Sequence, residues 1–193
     1  MRVIAGDYRG RQLKSLKGDA TRPTTDRVKE SVTSGLYSLL GGFDDLVVLD
    51  AFAGSGQLGI EALSRGAKKA YFCEQSRDAS RVVESNIRLC KVESTRFRLL
   101  KNDTFKLPQL GFLPEFDLVF LDPPYAVDPT CVTDLVRGLG QASMLASDAV
   151  VVYEYARKRA HEVEAALDAL EWDRISARNY GDTAVVVLRR SQS

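Results

Sequence analysis

One stretch of the chain decides its fold: Val47-Val48-Leu49-Asp50-Ala51-Phe52-Ala53-Gly54-Ser55-Gly56-Gln57-Leu58-Gly59. An apolar, β-branched run enters a glycine-rich turn, and a helical pattern follows, which is typical of the first strand and helix of a nucleotide-binding α/β fold. Gly54 and Gly56 allow the backbone to turn tightly and to approach a ligand, and Gly59 lets the helix lie close to the strand. We therefore predict a doubly wound, Rossmann-like α/β fold.

An acidic residue closes the next apolar run. Glu74 follows Tyr71-Phe72-Cys73 and lies 20 residues after Gly54, the spacing at which a carboxylate reaches ribose hydroxyls. Taken alone, the pattern fits a dinucleotide oxidoreductase as well as an S-adenosylmethionine site. Asp50 favours the second interpretation, because a negative charge before the glycine loop repels a pyrophosphate and attracts a cationic ligand.

The motif that bears on chemistry is Asp122-Pro123-Pro124-Tyr125, at the end of the apolar run Phe116 to Leu121. The exocyclic amino group of a nucleobase is a poor nucleophile, because its lone pair is drawn into the ring. A carboxylate at Asp122 and the carbonyl of Pro123 can each accept one N–H of that group. The two prolines restrict the backbone, and the Tyr125 ring can stack on a base. The motif predicts amino methylation; the alternative is a stiff turn after a strand.

A third acid completes the predicted cofactor site. Asp103 follows the apolar stretch Phe97 to Leu100, where it is suited to accept the adenine amino group. The alternatives are that Asp50 only caps the following helix and that Asp103 only forms a turn. The predicted cofactor-binding residues are Asp50, Phe52, Ala53, Gly54, Ser55, Gly56, Gly59, Glu74, Asp103 and Thr104, and the predicted catalytic residues are Asp122, Pro123, Pro124 and Tyr125.

Composition agrees with a soluble enzyme. With 193 residues, of which 45% are hydrophobic and 27% charged, the chain can bury a substantial core in one α/β domain. No apolar run approaches the length of a membrane-spanning helix, so we expect a cytoplasmic location and no membrane partner. The three cysteines are far apart and there is one histidine, so we predict free thiols and no metal.

Charge is distributed unevenly along the chain. The net charge is +1, but residues 1–30 hold eight cations and four acids, which leaves a net charge of −3 on the remaining 163 residues. A basic face on a nearly neutral body suits contact with phosphates. The alternative is a charged, solvated N-terminus that has no partner.

The N-terminal region has a hairpin pattern. A run from Arg2 to Ala5, a turn bounded by Gly6 and Gly10, and an alternating run from Arg11 to Leu16 predict a basic β-hairpin. We assign residues 1–20 to this RNA-binding hairpin and residues 21–193 to the catalytic domain. Because no predicted cofactor residue lies in 1–18, we expect the chain to fold without them. A linker and a helix from about Asp26 to Leu40 follow.

Strands and helices alternate through the rest of the chain. The pattern predicts seven strands, the last two forming a C-terminal hairpin in which the final strand is antiparallel, as in the methyltransferase variant of the doubly wound sheet. Ligands bind at the carboxyl ends of the parallel strands of such sheets. Asp50, Glu74, Asp103 and Asp122 all fall at those ends.

The chain resembles, over nearly its whole length, the bacterial 16S ribosomal RNA guanine-N2 methyltransferases. The motifs that carry the resemblance are, in order, Met1 to Gly6 with Arg9-Gly10-Arg11, Arg22 to Glu30, Asp50 to Gly56, Leu63 to Ala67, and Asp122 to Tyr125. The N-terminal motifs are the specific ones, because the glycine loop and Asp-Pro-Pro-Tyr also occur in enzymes that methylate adenine or cytosine in DNA.

The resemblance implies transfer of a methyl group from S-adenosylmethionine to the N2 amino group of one guanosine. The implied partner is 16S rRNA in the small ribosomal subunit or its assembly intermediate, and we expect the enzyme to act as a monomer. One alternative is a DNA amino methyltransferase, which normally needs a separate recognition domain. The other is an S-adenosylmethionine-binding assembly factor. The predicted RNA-binding residues are Arg2, Arg9, Arg11, Lys14, Arg22, Thr24 and Arg27.

Overall fold

A computed structural model describes residues 1–16 and 26–191 of the chain. These residues form two compact units, Met1–Asn102 and Asp103–Ser193. The predicted linker before the first helix, with the candidate RNA-binding residues Arg22 and Thr24, lies outside the described residues.

Within residues 1–16 and 26–102, the first unit contains three parallel strands and three α-helices. Its strands lie in the order β3-β2-β1, with Val47 paired to Lys69 and Ala70 to Phe97. The elements are α1 (Asp26–Leu40), β1 (Val47–Asp50), α2 (Gln57–Ser64), β2 (Lys69–Cys73), α3 (Arg77–Cys90) and β3 (Phe97–Leu100). Because the strands are parallel, the ends of β1 and β2 that carry Asp50 and Glu74 lie at the same edge.

Helix α1 has the predicted bounds. Val28 and Leu36 of its apolar face are buried, whereas Val32 and Leu39 of the same face are half-buried. After the helix, Gly41 has a φ of 73°, the left-handed conformation that commonly ends helices.

In the described part of the second unit, residues 103–191, four strands lie in the order β4-β5-β7-β6. Strands β4 and β5 are parallel, and β7 is antiparallel to both β5 and β6. The elements are β4 (Phe116–Leu121), α4 (Pro129–Gln141), β5 (Leu145–Ala156), α5 (Ala160–Asp168), β6 (Asp173–Tyr180) and β7 (Thr183–Arg189). The predicted α/β class, the seven strands and the antiparallel last strand are therefore confirmed.

Two elements differ in detail from their prediction. Strand β5 begins at Leu145 rather than near Ala149, because exposed Ser147 and Asp148 interrupt its apolar pattern without ending the extended backbone. The N-terminal hairpin has antiparallel pairing, but as one isolated bridge between Arg2 and Gln12 rather than two regular strands. None of the helices in residues 1–16 and 26–191 is long and apolar enough to cross a membrane.

Candidate active site

The glycine loop between β1 and α2 needs its glycines for two physical reasons. Gly54 and Gly56 have φ angles of 54° and 78°, in the left-handed region that L side chains rarely adopt. A Cβ atom on Gly59 would lie 2.4 Å from Cε1 of Phe72, so α2 packs directly on β2 at this point. The tight turn and the close helix–strand packing predicted for these three glycines are both present.

Glu74 lies at the end of β2 and contacts the glycine loop directly. Its Oε2 accepts a hydrogen bond from the Gly54 amide at 2.9 Å, and its Oε1 accepts one from the Ser76 amide at 2.7 Å. An ionised carboxylate has about four acceptor positions, so two bonds leave capacity for ribose hydroxyls. Glu74 therefore shapes the loop and still has the chemistry of a ribose acceptor.

Asp50 is almost fully buried at the end of β1, with 2% exposure. Its Oδ2 accepts a hydrogen bond from the Gly59 amide at 3.0 Å, in the first turn of α2. Its negative charge is thus placed at the positive end of a helix dipole. This geometry is the capping alternative considered for Asp50, and contact with a cationic cofactor stays a prediction.

Asn86 of α3 holds the glycine loop from the other side. Its Nδ2 donates to the Ser55 carbonyl at 2.9 Å and to the Lys14 carbonyl at 3.0 Å, and its Oδ1 accepts from the Lys14 amide at 2.8 Å. The side chain is fully buried. The sequence interpretation missed this residue, although a polar residue beside the buried Val83 and Ile87 of α3 is a recognisable signal.

The N-terminal segment, residues 1–16, is part of the first unit's fold. Glu61 of α2 is fully buried and accepts hydrogen bonds from the Ile4 amide at 2.8 Å and the Ala5 amide at 3.1 Å. The same carboxylate pairs with Arg65 at 2.9 Å and lies 3.9 Å from the buried Lys29 ammonium. Burial lowers the pKa of Lys29, and Glu61 opposes that effect.

The contacts of residues 1–16 argue against the expectation that the chain folds normally without residues 1–18. Their removal would expose the pocket now filled by Val3, Tyr8 and Leu13, which are buried. It would also remove two amide donors from the Glu61 carboxylate and leave Arg65 and Lys29 as its partners, and loss of hydrogen-bond partners by a buried charged group destabilises a protein. Sequence patterns gave no sign of this, because the donors are backbone amides.

The turn of the N-terminal segment, residues 6–10, lies at the C-terminal end of α2. The Asp7 amide donates to the Ser64 carbonyl at 2.8 Å, and a Cβ atom on Gly6 would overlap that carbonyl. Helix α2 rises about 12 Å from the glycine loop to this end. Arg9 and Arg11 therefore lie well away from Glu74 and Gly54.

The candidate RNA-binding cations of this unit differ in availability. Arg2 pairs with Asp26 at 3.1 Å, and Arg11 donates to the Leu89 carbonyl at 2.6 Å. Arg9, Lys14 and Arg27 are exposed. Contact of any of these residues with RNA stays a prediction.

At the start of the second unit, Asp103 and Thr104 form a short turn. Asp103 Oδ1 accepts a hydrogen bond from the Phe105 amide at 3.1 Å, and Thr104 is buried. This bond is the turn-forming alternative considered for Asp103. Its proposed contact with an adenine amino group stays a prediction.

The Asp-Pro-Pro-Tyr loop, residues 122–125, follows the last residue of β4 directly. Asp122 is half-buried and Pro123 is buried, whereas Pro124 is exposed. Burial of the Asp122 carboxyl raises its pKa to about 7. The Tyr125 side chain is 39% exposed, so its ring is available for stacking. A carboxyl whose charge is poorly stabilised, beside an exposed ring, is typical of a functional site.

Arg159 holds the backbone of this loop. Its Nη1 donates to the Tyr125 carbonyl at 2.8 Å and to the Val127 carbonyl at 2.6 Å, and Glu162 pairs with its guanidinium. The Tyr125 hydroxyl lies 3.4 Å from the Thr183 hydroxyl, which is a long hydrogen bond. Buried Tyr153 and Tyr155 line a small hollow behind the loop. The sequence interpretation missed Arg159, because no local pattern links it to a loop 34 residues earlier.

Comparison with known proteins gives consistent relatives. Residues 1–189 match the family described as conserved hypothetical protein 95. A Bacillus subtilis protein named as a candidate rRNA methyltransferase, YlbH, is 35% identical over 98% of this chain and 99% of its own length. A Haemophilus influenzae protein named ribosomal RNA small subunit methyltransferase D is 41% identical over 65% of this chain and 64% of its own length.

Solved structures agree with these relatives. A candidate methyltransferase of Escherichia coli, yhhF, superposes with a TM-score of 0.81 at 29% identity, covering 100% of this chain and 99% of that protein. A candidate methylase of Haemophilus influenzae superposes with a TM-score of 0.75 at 26% identity and covers 98% of both chains.

Proposed function

The chain belongs to the conserved hypothetical protein 95 family, that of ribosomal RNA small subunit methyltransferase D, and on this premise we propose which group it methylates. It is an S-adenosylmethionine-dependent methyltransferase whose relatives act on ribosomal RNA. We propose that its acceptor is the exocyclic N2 amino group of a guanosine in 16S rRNA of the small ribosomal subunit.

The Asp-Pro-Pro-Tyr loop is the observation that carries the proposal. Methylation of an aromatic amine needs acceptors for its N–H groups and a surface that orients the ring, because the lone pair must leave conjugation as the bond forms. Asp122 and the Pro123 carbonyl are the acceptors, and Tyr125 is the surface. Arg159 fixes the Tyr125 backbone, so the ring is positioned before a base arrives.

The residues of the glycine loop fit S-adenosylmethionine. A Cβ atom added to Gly54 would meet only the Phe52 carbonyl, at 3.9 Å, so the loop leaves open space on this side. Glu74 retains acceptor positions for the ribose hydroxyls, and Asp50 supplies negative charge for a cationic ligand. The bound cofactor supplies an electrophilic methyl group on a sulfonium. We also assign cofactor binding to Phe52, Ala53, Ser55, Gly56, Gly59, Asp103 and Thr104.

Asp122 has a second task in this mechanism, which concerns a proton. When the amino nitrogen gains a methyl group it becomes cationic, and one of its protons must leave to restore a neutral amine. A carboxylate that already accepts a hydrogen bond from the amino N–H is positioned to take that proton. A pKa of about 7 for Asp122 suits this transfer near neutral pH. The enzyme needs no covalent intermediate.

The experiment that tests the proposal compares small-subunit RNA from a parent strain and from a strain that lacks the gene. Digestion to nucleosides and mass spectrometry should find one N2-methylguanosine fewer per small subunit in the deletion strain. The gene for the native chain should restore the nucleoside, and the gene for Asp122→Asn should not.

Other outcomes identify the alternatives. Unchanged N2-methylguanosine together with loss of methyladenine or methylcytosine from DNA would mean a DNA enzyme. Restoration of ribosome assembly by Asp122→Asn without any methylation would mean an assembly factor. Either outcome would overturn the proposed acceptor.

A further inference from the structure

The three residues Arg157-Lys158-Arg159, which we call the cationic turn, form a short 3₁₀ helix between β5 and α5. Strands β4 and β5 are parallel, with Leu121 paired to Tyr153. The chain therefore leaves β5 at the same edge of the sheet at which it leaves β4 to form the Asp-Pro-Pro-Tyr loop. Parallel pairing alone places the cationic turn beside this loop.

Hydrogen bonds to two other segments of the second unit fix the position of the cationic turn. Arg159 donates to the carbonyls of Tyr125 and Val127, so one end of the turn is bonded to the Asp-Pro-Pro-Tyr loop. The Arg157 amide donates to the Asp182 carbonyl at 2.7 Å, which bonds the other end to the connection between β6 and β7. The turn is thus held within the second unit without use of the Arg157 or Lys158 side chains.

The charges of Arg157 and Lys158 are available. Both residues are exposed, and within residues 1–16 and 26–191 neither side chain has a hydrogen bond or ion pair. Two other cations of the unit are already paired, since Arg137 contacts Asp134 and Arg174 contacts Glu164 and Asp168. Glu162, which follows the turn by three residues, pairs with Arg159.

We propose that Arg157 and Lys158 bind the phosphodiester backbone of the RNA beside the nucleotide that is methylated. This inference rests on the proposed function. A base that stacks on Tyr125 must be turned out of its RNA context, which brings its flanking phosphates to the rim of the loop. Unpaired, solvated cations at that rim are suited to phosphates, because they lose no existing ion pair on binding. Arg159 is a positioning residue and does not meet RNA.

The test uses the full chain with Arg157→Ala and Lys158→Ala combined. S-adenosylmethionine affinity, measured by calorimetry, and the thermal unfolding midpoint should not change. Affinity for small subunits should fall on the order of tenfold, and the slope of log K against log salt should become shallower by about 1.4 to 1.8 for two lost phosphate contacts. The kcat at saturating small subunits should be retained while KM rises.

A matched control removes the same charge elsewhere. Lys68 and Arg88 are exposed cations of the first unit, one before β2 and one in the last turn of α3, at the opposite edge from the glycine loop. Alanine at both positions should leave affinity and salt slope nearly unchanged. The exchange Arg157→Lys with Lys158→Arg should keep native affinity, because it keeps both charges.

Two results would overturn the inference. One is native affinity and native salt slope of the Arg157→Ala, Lys158→Ala double variant for small subunits that the native enzyme methylates. The other is a control variant, with alanine at Lys68 and Arg88, that weakens binding as much as the Arg157→Ala, Lys158→Ala double variant. The loss of affinity would then reflect net charge rather than position. Absence of methylation by the native enzyme is a separate result, and it would reject the proposed function instead.

Discussion

The glycine loop of the first unit and the Asp-Pro-Pro-Tyr loop of the second are held by different contacts. In the first, Glu74 and Asp50 accept backbone amides, and Asn86 donates to the Ser55 carbonyl. In the second, two prolines and Arg159 fix the backbone, while burial raises the pKa of Asp122. The first group of side chains thus stabilises the fold as well as the loop, whereas ionised Asp122 destabilises the fold.

The difference has a consequence for variants. Replacing Glu74 or Asp50 should lower stability and cofactor affinity together, because the carboxylates assigned to the cofactor also accept hydrogen bonds from backbone amides. Replacing Asp122 should raise stability and lower turnover while cofactor affinity stays native, since a group that costs stability is retained for its chemistry. The following predictions test this contrast in order of expected effect.

The largest effect is expected for Asp122→Asn. The amide keeps the shape of the side chain but cannot take a proton, so turnover should fall by about 10² to 10³, as for other single preorganised groups. Single-turnover methylation of small subunits measures this, with S-adenosylmethionine affinity expected to stay native. Asp134→Asn, which alters an exposed carboxylate of the same unit, is the control. Near-native turnover of Asp122→Asn would disprove the mechanism.

The second prediction concerns pH and stability. The pKa of Asp122 is about 7 in the folded chain and about 3.9 when unfolded, so the folded state holds the proton more tightly. The contribution of Asp122 to the free energy of unfolding should therefore fall as pH rises from about 4 to 7. The free energy of unfolding of Asp122→Asn should exceed that of the native chain by a few kcal/mol above pH 7, and the two should be equal below about pH 4. Urea unfolding at pH 4, 6 and 8 measures the gain, and a gain that does not depend on pH would contradict the assigned cause.

The third prediction concerns Glu74→Ala. Gly54 and Ser76 would lose a charged acceptor, and hydrogen bonds to charged groups contribute about 1.5 to 3 kcal/mol. Thermal stability should fall, and S-adenosylmethionine affinity should fall roughly 10- to 100-fold. Calorimetry and thermal unfolding measure the two effects. Glu74→Gln keeps one side-chain oxygen, so its stability and cofactor affinity should lie between those of the native chain and the alanine variant. Native cofactor affinity of Glu74→Ala would disprove the assignment of Glu74 to the cofactor site.

The smallest effect is expected for Tyr125→Phe. The Tyr125 hydroxyl makes only a 3.4 Å contact with Thr183, so loss of the hydroxyl should change kcat/KM little. Tyr125→Ala removes the ring and should cost about 1 to 3 kcal/mol of base positioning. Steady-state kinetics on small subunits distinguishes the two. If phenylalanine is as inactive as alanine, the hydroxyl and not the ring is needed.

Local signals in the sequence were enough for the elements and the two loops. The apolar run of β1, the bounds of α1 and the positive-φ glycines Gly54 and Gly56 all follow from residues close to one another in the chain. The Asp-Pro-Pro-Tyr loop is likewise a single tetrapeptide. Periodicity, turn residues and motif spacing act over this range, so the sequence by itself determined the α/β class and the candidate chemistry.

Only the tertiary structure decided which groups support those loops. Glu61 meets amides 56 and 57 residues away, Asn86 meets Lys14 over 72 residues, and Arg159 meets Tyr125 over 34 residues. Their partners are backbone atoms, which every residue has, and so no side-chain pattern marks them. The sequence showed that the N-terminal segment is basic. That the segment is also needed to satisfy a buried carboxylate depends on which amides lie near Glu61, which follows from packing alone.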